Sequence, residues 1–352
     1  MPDPAIQRLT LKTVLGLPAP LLRAVAGGGV VYRGGRTLDP RLQFLWKAWS
    51  RPRAMAELTP EEARAGWREL TRTAGLKPDP SVRSETVLLD GPASVLTTGL
   101  YTPAALQPGA PMLVFLHGGM GVAGDLETAD GLCRRLAADA GCLVLAPEYR
   151  LAPEHRFPAA LDDALAVVRW AQGNAGRYGA AGVAVGGESL GGGLAAAVCQ
   201  ALKQEGEPQP LAQLLICPLL DAAAQGGAEG GGGQGGGAME TYADAWPLSR
   251  EGLDWALGHY LKPEDDPTDP RVSPLREPDL TGLAPAVIAA AGFDPLGDQA
   301  EAYARRLRDA GVEVRYRRYD SLTHAFPSFA GLAPAAEAAV RDVAALLRGR
   351  FA

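Results

Sequence analysis

The spacing of apolar and polar residues changes character near residue 84. Upstream, apolar residues recur at helical intervals. Ile6 to Val25 is apolar and interrupted by Pro18 and Pro20, the run Gly27-Gly28-Gly29 breaks the pattern, and a helix is expected over Pro40–Trp49. Thr59-Pro60-Glu61-Glu62 reads as an N-cap, a proline at the first helical position and acids in the first turn. It predicts a helix running to about Thr73. The stretch from Leu9 to Val25 is amphipathic enough to touch a membrane, but packing against its own domain is the expected role.

Downstream, short apolar runs alternate with helical patterns. Ser84–Leu89 and Val95–Tyr101 predict strands joined by a tight turn at Asp90-Gly91-Pro92. Further strands are expected at Met112–Leu116, Cys142–Ala146, Gly182–Gly186, Leu211–Leu215, Ala286–Ala291 and Val312–Tyr319. Helices are expected over 127–140, Pro158–Gln172, Leu190–Lys203, Asp298–Ala310 and 334–349. Continuously apolar strands that alternate with helices indicate an α/β fold, its sheet mostly parallel and buried on both faces. Residues 221–280 interrupt the alternation with Gly226–Gly237, where nine of twelve residues are glycine, and with helical pieces around Ser249–Tyr260. The glycine run reads as a flexible loop without side chains for chemistry. Three units follow: a helical segment 1–83, a core formed by 84–220 and 281–352, and an insertion at 221–280.

Composition narrows the function. A net charge of −6 argues against a nucleic-acid backbone or an anionic membrane as the main partner. Met1-Pro2-Asp3-Pro4 lacks the signature of a signal peptide, and no apolar stretch approaches membrane-spanning length, so a cytoplasmic protein is expected. Cys133, Cys142, Cys199 and Cys217 show no zinc spacing and no dense disulfide framework, and read as buried free thiols.

The candidate chemistry centres on Val183-Ala184-Val185-Gly186-Gly187-Glu188-Ser189-Leu190-Gly191. An apolar strand turns sharply into a helix with a serine at the apex, and Gly187 and Gly191 must lack a Cβ for the turn to close. The bland alternative is a glycine-rich packing turn. A nucleophilic serine needs a base, and among His117, His155, His259 and His324, His324 follows a strand at the sheet edge that also carries Ser189, whereas His259 lies in a helical pattern and His155 in a proline-flanked loop. Asp294 ends the strand before it and can orient the imidazole, whereas Asp298 reads as the N-cap of the next helix. Gly118 and Gly119, after the strand ending at Leu116, and the amide of Leu190 could supply oxyanion donors.

A rival reading starts from Gly119-Met120-Gly121-Val122-Ala123-Gly124, a literal dinucleotide-binding pattern followed by Glu148. The distance to Glu148 exceeds the usual ~20 residues. Two strands precede the supposed first one, and Ser189, Asp294 and His324 would go unexplained.

From about residue 58 to 350 the chain resembles the hormone-sensitive-lipase branch of the α/β-hydrolases. The resemblance rests on His117-Gly118-Gly119 with Gly124-Asp125, on the block from Glu148 to Ala159 with Asp162-Asp163, on Gly187 to Gly192, on Asp294 to Asp298 and on Thr323-His324. The chain order Ser189, Asp294, His324 is that of the family. The resemblance implies an eight-stranded α/β-hydrolase fold with a helical cap built from the N-terminal segment and part of 220–280. It implies Ser189 as nucleophile, His324 as base and then acid, Asp294 as orienter, and Gly118, Gly119 and Leu190 as the oxyanion hole.

The expected activity is a serine carboxylesterase acting on small ester substrates of short to medium acyl length, with no metal or cofactor. Related bacterial enzymes are often dimers, which leaves a homodimer open. Amidase, lactonase or acyltransferase chemistry is open to the same triad, and a non-catalytic ligand receptor is a further alternative on this scaffold. Met120, Gly121, Leu190 and Ala325 depart from the family pattern, which usually has glycine or alanine, an aromatic residue, alanine and glycine there. Met120 and Gly121 are therefore expected to shape the substrate pocket.

Overall fold

Short-range signals decide where the elements begin. Thr59 caps the helix that follows it, accepting a hydrogen bond from the Glu62 amide at 3.2 Å, while the Glu62 carboxylate accepts one from the Thr59 amide at 2.9 Å. Asp125 caps the next long helix in the same way with Thr128. In the computed structural model, which describes residues 4–49, 57–223 and 237–351, the N-terminal part forms α1 (Pro4–Leu15), α2 (Ala19–Val25), β1 (Tyr32–Arg33), β2 (Arg36–Thr37), α3 (Pro40–Trp49) and α4 (Pro60–Ala74). The β1–β2 ribbon is a two-stranded antiparallel pair that the sequence pattern does not announce. Leu15, Leu22, Leu42 and Leu45 bury the inner faces of these helices.

The alternating region then supplies β3 (Val82–Asp90), β4 (Val95–Pro103), β5 (Met112–Leu116), α5 (Leu126–Ala140), β6 (Leu143–Pro147), α6 (Ala159–Asn174), β7 (Val183–Glu188), α7 (Leu190–Gln204) and β8 (Gln213–Ile216). Two helices, α8 (Ala238–Thr241) and α9 (Arg250–Tyr260), precede β9 (Ala286–Phe293), α10 (Gly297–Asp309), β10 (Val314–Thr323) and α11 (Pro334–Phe351). The expected glycine loop lies outside the described residues except for Gly237.

Eight strands form one sheet in the order β10-β9-β8-β7-β5-β6-β4-β3. From β6 to β10 every pairing is parallel, and β4 runs antiparallel to both β3 and β6. Alternate residues of the central strands serve opposite layers. In β5, Met112, Val114 and Leu116 pack with α6 and α7, and Leu113 and Phe115 with α5 and α11. Both faces are dry, which is why these strands read as unbroken apolar runs.

Sheet register positions the site. Thr323 pairs with Phe293, so the residues that follow, His324 and Asp294, leave adjacent strands side by side. Leu116 pairs with Gly187, which brings the loop after β5 next to the β7–α7 turn.

The block after β6 fastens the core together. The Asp163 carboxylate, fully buried in α6, accepts hydrogen bonds from the Arg150 amide at 2.9 Å and from its guanidinium at 2.8 Å. Removing Asp163 leaves the Arg150 amide and its partly exposed guanidinium without their main acceptor. Asp163→Ala is expected to lower the unfolding free energy by about 1–3 kcal/mol, read from urea denaturation; no measurable change would contradict this role.

Candidate active site

Ser189 sits between β7 and α7 with φ 55° and ψ −122°, a conformation that non-glycine residues rarely adopt. The turn closes because Gly187 and Gly191 touch backbone to backbone. A Cβ on Gly187 would lie 2.3 Å from the Gly191 carbonyl carbon, and one on Gly191 would lie 2.1 Å from the Leu116 carbonyl oxygen. The Ser189 amide donates to Ile216 O at 2.9 Å, and its own carbonyl accepts from Leu219 N at 3.0 Å. The hydroxyl is thereby held at the carboxyl edge of the sheet.

Asp294, His324 and Ser189 form one hydrogen-bonded line. His324 Nδ1 lies 2.8 Å from Asp294 Oδ2, and Nε2 lies 3.1 Å from Ser189 Oγ. A carboxylate can only accept, so Nδ1 carries the proton and Nε2 is free to accept from the serine. Asp294 Oδ1 accepts in turn from Leu296 N at 2.9 Å, which fixes the carboxylate. Burial acts most strongly on His324 and disfavours its charged form. The charge and hydrogen bond of Asp294, with the charge of Glu188, outweigh it and raise the pKa above the ordinary histidine value. Cys217, buried beside Asp294, has its thiol pushed well up by burial and stays protonated. Its Sγ lies within 4.8 Å of ligand atoms of Asp294 and His324.

The loop after β5 is braced from several sides. Gly119 has φ 119°, and an added Cβ would lie 2.1 Å from the Ala123 carbonyl oxygen, so only glycine fits this close turn. The Gly119 carbonyl accepts from the Val122 and Ala123 amides at 3.1 and 2.9 Å. His117 stacks on Tyr149 at 4.2 Å, and the Tyr149 hydroxyl donates to His117 O at 2.8 Å. Burial lowers the His117 pKa, and the neutral ring's Nδ1 lies 2.8 Å from Gly118 O. Leu190 opens α7, so its amide has no partner within the helix.

These glycines do not build a dinucleotide site. The N-terminus of α5, where a pyrophosphate would sit, is already taken by the Asp125 cap. Glu148 is exposed, its carboxylate 3.5 Å from the Leu126 amide.

A cavity of about 60 Å³ adjoins Ser189 and His324. Ala63 and Trp67 of α4, Met120, Val122, Leu248 and, from α9, Trp255 wall it, together with Gly118 and Gly119. Both helical segments expected to cover the site therefore contribute to it. Met120 faces the cavity as the sequence suggests, whereas Gly121 and Leu190 do not line it. A Cβ on Gly121 would meet Leu190 Cδ2 at 2.6 Å and the Tyr260 ring at 2.8 Å, so these two departures from the family pattern fill one space together. Asp298 is also not the cap of α10. The position before the helix is Leu296, and Asp298 instead accepts from the Ala238 amide at 2.6 Å. His155 and His259 lie apart from the site, His259 edge-on to Trp255 at 4.7 Å. Trp67, Trp255 and the buried Glu188 were missed in the sequence; only Glu188, adjacent to the serine, carried a local signal.

A profile of the alpha/beta hydrolase fold matches residues 113–328. The chain belongs to this family, in its hormone-sensitive-lipase-like branch. It is 38% identical to the carboxylic ester hydrolase LipN of Mycobacterium tuberculosis over 97% of this chain and 90% of that one. It is 36% identical to the ethyl acetate hydrolase of Pseudomonas putida over 77% and 82%. The crystal structure of an alpha/beta hydrolase from the metagenome of Lake Arreo superposes with a TM-score of 0.81 at 36% identity, covering 88% of this chain and 96% of that one. No helix among the described residues is long and apolar enough to cross a membrane.

Two departures gain a conformational meaning. Met120 and Ala325 have φ 57° and 54°, where glycine is the unstrained choice. Ala325→Gly is expected to raise the unfolding free energy by about 0.5–1 kcal/mol; a loss of stability in chemical denaturation would refute strain at this position.

Proposed function

We propose that the protein is a serine carboxylesterase that hydrolyses short-chain acyl esters through an acyl-enzyme, with Ser189, His324 and Asp294 as its triad. One observation carries the reading: the unbroken hydrogen-bonded line from Ser189 Oγ through His324 to Asp294, at 3.1 and 2.8 Å. The ester-hydrolase relatives add to it.

His324 Nε2 takes the Ser189 proton as Oγ attacks the ester carbonyl, and the imidazolium forms against Asp294. The carbonyl oxygen becomes an oxyanion that the amides of Gly118, Gly119 and Leu190 would stabilise. Collapse expels the alcohol, which takes the proton from Nε2 and leaves the acyl group on Ser189. Water then repeats the sequence: it gives a proton to His324, attacks the acyl carbon and releases the acid, while Oγ recovers its proton. The cavity beside Ser189, about 60 Å³, has room for only a few water-sized groups, which favours small acyl chains.

Ser189→Ala should lose at least ~10³-fold in turnover of p-nitrophenyl acetate with an unchanged thermal midpoint; retained turnover would sink the assignment. His324 must be neutral to act as a base, and its pKa is raised, so kcat/KM should fall on the acid side with a limb above pH 6.5. A limb below that value would contradict the ion pair with Asp294.

A further inference from the structure

Glu188, immediately before the nucleophile, is 5% exposed, and its Oε1 has no hydrogen-bond partner within the described protein. A buried carboxylate without a partner is costly, so this oxygen requires one. Its carboxyl group presses on the loop after β5: a Cβ on Gly118 would lie 3.2 Å from Glu188 Oε2 and 3.4 Å from its carboxyl carbon.

Behind that loop lies a cavity of about 40 Å³, lined by Glu188, Gly118, His117, Thr71 and Ser328 among others. A buried water needs roughly 10–15 Å³ of such space and two to four polar partners. The size and the polar wall both suit water. Thr71 also borders an open surface groove of about 1000 Å³. On the other side, Glu188 and Gly118 border the Ser189 cavity as well. Ser328 lies on the turn that follows His324, so one small polar space touches α4, the Gly118 loop, the nucleophile strand and the histidine loop.

We propose that Glu188 is a positioning residue for the esterase reaction, holding the Gly118 end of the loop through water bound in this cavity and placing a second negative charge near the His324 imidazole. This rests on the triad reading above. Burial pushes the Glu188 carboxyl up to about 7, opposed by the charge of His324. The other titratable groups around Glu188 are His117 and Glu127 on the cavity wall, Tyr149, Cys133 and Cys217. Burial holds the two thiols and the phenol in their neutral forms and disfavours charge on His117. A charge at Glu188 favours the imidazolium and disfavours neutral His324.

The test compares pH profiles of kcat/KM for p-nitrophenyl acetate in the wild type, Glu188→Gln and Glu188→Asp. Glu188→Gln should move the acid limb to lower pH by about half a unit or more and lower kcat several-fold. Glu188→Asp, which keeps the charge, should leave the limb near its original place. A uniform loss at every pH with an unmoved limb would mean a merely structural role and overturn the proposal, as would an equal shift in both variants. An NMR titration of the His324 ring in the unmodified protein guards against variants that fail to fold. Two coupled steps support the proposal, and a single step overturns it. Fluorophosphonate labelling keeps the two readings apart: failure to label Ser189 in the wild type strikes at the triad itself, whereas labelling with an unmoved limb strikes only at Glu188.

Discussion

The rest of the site depends on the backbone of Ser189. A residue at φ 55° and ψ −122° carries strain of about 1–3 kcal/mol, which persists only because its surroundings leave no alternative. β7 lies between β5 and β8, buried on both faces, and α7 begins at the next residue. A methyl group on Gly187 would force β7 and α7 apart, and one on Gly191 would push α7 off the end of β5. Strand order follows the same logic. With β7 in the middle, the loop after β5 arrives on one side, and the ends of β9 and β10 arrive beyond β8 on the other.

Burial then makes the electrostatics consequential. Asp294 and His324 are 1% and 4% exposed, so their interaction is weakly screened and outweighs a desolvation cost that alone would keep the imidazole neutral. His117 shows the contrast within the same sheet edge. It faces a backbone carbonyl and an aromatic ring instead of a carboxylate, and burial lowers its pKa. Two histidines at similar depth thus have opposite preferences, decided by the carboxylates beside His324.

Much of this was legible in the chain. The central strands β5, β6 and β9 could be read because each is continuously apolar, whereas β10 shows only as an alternating pattern with arginines on its solvated face. Asp294 and His324 could be matched to Ser189 because parallel strands deliver successive carboxyl ends to one edge. What escaped depends on contacts far apart in sequence. Asp298 looks like a cap locally, but its carboxylate serves Ala238, sixty residues away. Gly121 looks like space for a ligand until Leu190 and Tyr260 are seen to fill it. Trp67 and Trp255 reach the cavity from helices whose patterns say only that one face is buried. The β1–β2 ribbon, with two residues per strand, is too short to leave a periodicity.

The helices that wall the cavity are fastened very differently. Arg64 of α4 donates to Val122 O at 2.8 Å and to Ala152 O at 2.9 Å, and it pairs with Glu154 at 2.6 Å. One side chain therefore ties α4 to both the Gly118–Asp125 loop and the block after β6. Trp255 of α9 reaches the same cavity from a helix that hydrogen-bonds to Arg156 and Phe157 and meets that loop through the ring of Tyr260 packed on Gly121. For anyone remodelling selectivity, the two sides are unequal. Altering α4 also disturbs the amides beside Ser189, so changes there couple shape to rate. On the α9 side, Trp255 can be varied while Tyr260 keeps its packing against Gly121 and Leu190.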